Sequence, residues 1–66
     1  MKLKWTDVQR IAIRLFEAHP EIDPMRINFV DLMEWVKALP EFDDDPSRCG
    51  ERILEAIQQA WIEEVD

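Results

Sequence analysis

The sequence has little cysteine, glycine, histidine or basic charge, and each shortage closes off a class of function. Cys49 is the single cysteine, so no disulfide can form within the chain. One cysteine and one histidine, His19, cannot fill the four positions of a tetrahedral zinc site. A Cys49–His19 pair would also lack an orienting third group, which removes the usual basis for nucleophilic catalysis. With Gly50 as the single glycine, there is no glycine-rich loop to cradle a phosphate. No apolar run approaches the roughly 18 residues of a membrane span. The first six residues lead straight into a helix signal, without an apolar signal-peptide stretch. A soluble, cytoplasmic protein is expected.

Basic groups number 8 against 15 acidic ones, for a net charge of -7. Their distribution says more than the sum. Residues 1–33 carry five of each sign, whereas residues 34–66 carry three basic and ten acidic groups. The whole excess lies in the second half. A field of that sign repels nucleic acid and anionic membranes, and it favours cations or a basic protein patch. Sixty-six residues make a single domain, 1–66. A chain of that size buries only about 60% of its unfolded surface. It has little room for a catalytic cleft, so an enzyme is not expected.

Three helices are predicted from apolar spacing. Val8, Ile11, Ala12, Leu15 and Phe16 make one helical face, with Thr6 and Gln9 as a capping-box pair before it. Pro20 ends that helix near His19. Leu3 and Trp5 pair briefly as a strand or staple the helix start. Pro20 and Asp23-Pro24 read as turns, and Arg26–Phe29 alternates as a short strand would. A second helix is predicted over 31–39, with Leu32, Trp35, Val36 and Leu39 inward and Asp31 as its cap. Asp45-Pro46 is expected to open one helical turn. The third helix starts near Gly50 or Glu51 and runs to about Glu64. It turns Ile53, Ala56, Ile57, Ala60 and Trp61 inward and Glu51, Glu55 and Glu63 outward. The expected fold is mainly α: a compact three-helix domain, winged-helix-like, with at most a minimal β-ribbon.

The stretch most suggestive of function is Glu41-Phe42-Asp43-Asp44-Asp45-Pro46. Three adjacent carboxylates repel one another unless a cation or a basic partner arrives. Glu41, Asp43, Asp44 and Asp45 are therefore candidate ligands for a hard cation, or weakly for Fe(II), through oxygen and water. The spacing is not that of an EF-hand. The same carboxylates suit docking on Arg and Lys of another protein. They equally suit a solvated turn whose only work is to start the next element.

The motifs Leu3-Lys4-Trp5-Thr6-Asp7, Phe42-Asp43-Asp44-Asp45-Pro46 and Ile53-Leu54-Glu55-Ala56-Ile57, with Trp35, Trp61 and Glu64, resemble the IscX family. These are small acidic proteins of bacterial iron–sulfur cluster assembly, and the resemblance spans the whole chain. It implies a modified winged-helix fold and a non-enzymatic regulator. It implies binding to the pathway's cysteine desulfurase, competition with bacterial frataxin for a basic surface, and weak, exchangeable binding of Fe(II). No pyridoxal phosphate or cluster is implied in this chain, and a monomer is expected. Carried over residue by residue, the partner-binding set is Asp43, Asp44, Asp45, Glu51 and Glu55. Val30 stands where a hydroxyl cap would precede Asp31, and Cys49 is outside the family pattern. The runner-up reading is an iron donor to the assembly scaffold. A winged-helix DNA binder would need a basic stripe, which the sequence lacks.

Overall fold

The computed structural model describes residues 2–65. Three α-helices follow in order: α1 (Val8–Ala18), α2 (Phe29–Ala38) and α3 (Glu51–Val65). Two 3-10 turns, Pro24–Arg26 and Pro46–Arg48, lie in the connections. One parallel bridge, Leu3 to Phe42, is the β-structure among the described residues. The mainly α, three-helix domain is the one expected.

The core follows the predicted apolar faces, except that Ala56 of α3 is exposed and Leu54 is buried instead, because Leu54 lies on the helix side of Ile57 and Trp61 and Ala56 does not. Ile11, Ala12 and Leu15 of α1, Leu32 and Val36 of α2, and Leu54, Ile57 and Trp61 of α3 are all buried. Leu3 and Trp5 join them from the N-terminal segment. Trp35 packs edge-on against Trp61, with ring centroids 6.0 Å apart. His19 stacks at a tilt on the same Trp35 at 5.4 Å, so it serves as packing. Ile62 of α3 is half-buried.

Two helix-cap expectations and one strand expectation are corrected. The capping box of Thr6 and Gln9 does not form. Asp7 takes the cap position of α1, and its carboxylate accepts the Lys4 N–H at 3.0 Å instead of an N–H of the helix. The single bridge uses the N–H and carbonyl of Leu3, so the Lys4 N–H points away from residues 41–43, and Asp7 supplies its partner. The strand expected over Arg26–Phe29 is replaced. Pro24–Arg26 is a 3-10 turn capped by Asp23, and Phe29 already begins α2. Asn28, not Asp31, caps α2. Its side-chain oxygen accepts the Asp31 N–H at 2.8 Å, and its amide donates back to the Asp31 carboxylate at 3.2 Å. This reciprocal pair satisfies two groups at once, so it outcompetes a self-cap at Asp31. The expected turn at Asp45-Pro46 does form, with the Asp45 carboxylate accepting the Ser47 N–H at 2.9 Å.

Removing the Asn28 cap should cost about 1 kcal/mol. Urea denaturation of Asn28→Ala is expected to show that loss with an unchanged slope. Asp31→Ala should lose less, because the cap oxygen on Asn28 survives it.

Candidate functional site

The N-terminal segment and the acidic turn build one another. Residues 2–5 alternate, with Leu3 and Trp5 buried and Lys2 and Lys4 exposed. Leu3 brackets Phe42: its N–H donates to the Glu41 carbonyl at 2.7 Å, and its carbonyl accepts the Asp43 N–H at 2.9 Å. That short ladder brings Trp5 under the turn. The Trp5 backbone N–H donates to Asp44 Oδ2 at 3.0 Å, and its indole Nε1 donates to the Asp45 carbonyl at 2.8 Å. The indole meets the Phe42 ring edge-on at 4.6 Å.

Each carboxylate of the turn has its own partner. Glu41 turns to α1 and pairs with Arg14 Nε at 2.7 Å. Asp43 lies between Lys2 at 3.2 Å and Lys4 at 3.9 Å, and Lys4 also donates to the Asp43 carbonyl. Asp44 accepts from the N–H groups of Trp5 and Asp45. Asp45 accepts from both the N–H and the hydroxyl of Ser47. Hydrogen bonds that favour the charged form hold two of these acids below the usual carboxylate range. For Asp44 the main cause is the Trp5 N–H, then that of Asp45. For Asp45 it is the Ser47 N–H, then its hydroxyl.

The four carboxylates therefore diverge. Among the described residues, no three Asp, Glu, His or Cys side chains converge as a metal shell would require. As arranged, Glu41, Asp43, Asp44 and Asp45 do not fit a resident metal centre. Cys49 is half-buried, and burial pushes its thiol up rather than toward a reactive thiolate. The remaining candidates, Glu51 and Glu55, are exposed in the first turns of α3, with Glu63 farther along the same outer side. None of these three makes a side-chain ion pair within the described residues.

A family model for iron–sulphur cluster assembly matches residues 3–66. The chain belongs to that family. It is the family of IscX, as the acidic turn and the motifs around it led one to expect. An uncharacterized protein of Pseudomonas aeruginosa is 67% identical over 66 residues, covering all of both chains. No helix among the described residues is long and apolar enough to cross a membrane.

Sequence alone does not mark Lys2, Lys4 and Arg14 as partners of the acidic turn. Only the Lys-Leu-Lys-Trp alternation hinted at it, by putting two cations on the face opposite two buried residues.

The depressed Asp44 and Asp45 acids stabilise the fold above the unfolded carboxylate range. That contribution is lost as pH falls through their lower folded values. Thermal melts from about pH 5 to about pH 2 should fall less steeply for Asp44→Asn/Asp45→Asn than for the native chain. Identical slopes would show that these bonds do not form in solution.

Proposed function

We propose that this member of the family is a non-enzymatic, monomeric adaptor of the cytoplasm that docks on a basic patch of the pathway's cysteine desulfurase. The observation that carries the reading is the outer face of α3. Glu51, Glu55 and Glu63 are exposed without ion pairs inside the described residues. Charged groups held that way are open to a complementary surface, and they steer association more than they add affinity. Asp43 extends the acidic surface at the turn, where its side chain is 57% exposed. Asp44 and Asp45 hold the turn's shape, so their contribution is mainly to present Asp43. In this reading the chain competes with bacterial frataxin for the same basic surface. Fe(II) contact at Glu41, Asp43, Asp44 and Asp45 is weak and exchangeable, because an ion there competes with Arg14, Lys2 and Lys4. That competition favours the adaptor over the iron donor.

Reversing charge at all three aspartates would be a poor test, because it would remove the anchors of Trp5 and Ser47. Glu51→Lys/Glu55→Lys spares them. Calorimetric titration against the desulfurase should show at least about a tenfold loss of affinity, or about 1.4 kcal/mol. Helical circular dichroism should be unchanged. Native affinity should also fall as salt rises from about 50 to about 300 mM. Equal affinity for the variant and the native chain would sink the proposal.

A further inference from the structure

Lys2 and Lys4 sit on the acidic turn as a basic partner's side chains would. Their ammonium groups lie 3.2 and 3.9 Å from the same oxygen, Asp43 Oδ2, and Lys4 adds a bond to the Asp43 carbonyl. The lysines come from a segment more than thirty-five residues away in sequence, and the Leu3–Phe42 bridge delivers them. The segment itself does not depend on them. Leu3 and Trp5 are 3% and 1% exposed, and four hydrogen bonds from or to their backbone and indole groups tie them to residues 41–45. The Lys2 and Lys4 side chains are 74% and 52% exposed. Ion pairs that exposed are individually weak, so they exchange readily.

We propose that Lys2 and Lys4 form a built-in cationic shield over Asp43, which a basic partner must displace before it can use that carboxylate. The chain supplies its own competing ligand, and the shield swings aside while Leu3 and Trp5 stay in place. Association by way of α3 comes first, and the exchange of cations at Asp43 follows. This rests on the docking reading above only in the identity of the partner. The competition itself applies to any polycation.

The test removes the shield and matches the change in net charge with a control. Lys2→Gln/Lys4→Gln is compared with Arg26→Gln/Lys37→Gln, which takes the same two charges from ion pairs with Asp23 and Glu34 elsewhere. Each is titrated at low ionic strength with a hexalysine peptide and, separately, with the desulfurase, and the Asp43 amide is followed by NMR. The shield-less variant should bind hexalysine about threefold more tightly than the charge-matched control, the scale of an exposed ion pair. In an Asp43→Asn background that advantage should vanish. Equal affinities of the two double variants, an advantage that survives Asp43→Asn, or no hexalysine binding by the shield-less variant would each overturn the shield. The expected order with hexalysine alongside no binding to the desulfurase would instead overturn the docking reading and leave the shield standing.

Discussion

The structure depends on the burial of Trp5 beneath the acidic turn. Burying an indole removes about 150–250 Å² of surface from water, or roughly 4–6 kcal/mol at the usual area coefficient. That figure is an upper bound, since the unfolded chain is already partly collapsed. Even discounted, it exceeds any one exposed ion pair, which gives at most about 1 kcal/mol. An indole cannot be buried with its N–H unpaired at no cost, and the Asp45 carbonyl meets that need at 2.8 Å. The turn is thus shaped from below by an aromatic residue and from within by Asp44 and Asp45. The negative charge that looks like its main property comes second in its construction.

This division of labour separates two sets of acids that look alike in sequence. Asp44 and Asp45 are spent on backbone N–H groups and a hydroxyl, where they fix φ and ψ over Asp44–Ser47. Asp43 meets only flexible lysine termini, in addition to its backbone bonds to Leu3 and Lys4. The energetic contrast follows from what each partner can do. A backbone N–H held by secondary structure cannot leave, whereas an exposed ammonium group can.

Much of the fold was legible because apolar spacing encodes it directly. The faces of Ile11–Leu15, Leu32–Val36 and Ile57–Trp61 needed only a period of 3.6, and Asp45-Pro46 needed only the chemistry of a capped turn. Helix starts were less legible, since Asp7, Asn28 and Asp31 can each cap something and the winner depends on where the chain arrives. Asn28 prevails because it and Asp31 satisfy one another. The site was legible as a charge cluster but not as a geometry. Nothing local in Glu41-Phe42-Asp43-Asp44-Asp45 says that Arg14 takes the first carboxylate and Lys2 and Lys4 the third. Those pairings follow from how α1 and residues 2–5 pack, which is long-range information.

The pairings also relocate the protein's usable charge. Around the turn, Glu41 and Asp43 are offset by Arg14, Lys2 and Lys4, so the local field there is weaker than its four acids suggest. On α3, by contrast, Glu51, Glu55 and Glu63 keep their charges without ion pairs inside the described residues. Within the Debye length of about 8 Å in physiological salt, an approaching basic surface senses mainly unpaired groups, because the opposite charges of a tight pair largely cancel at a distance. In the proposed docking, encounter is therefore governed by the helix, and the turn acts at contact. Such a domain is then attracted to many positive surfaces, and the proposed shield lets it hold only those whose cations replace Lys2 and Lys4 at Asp43.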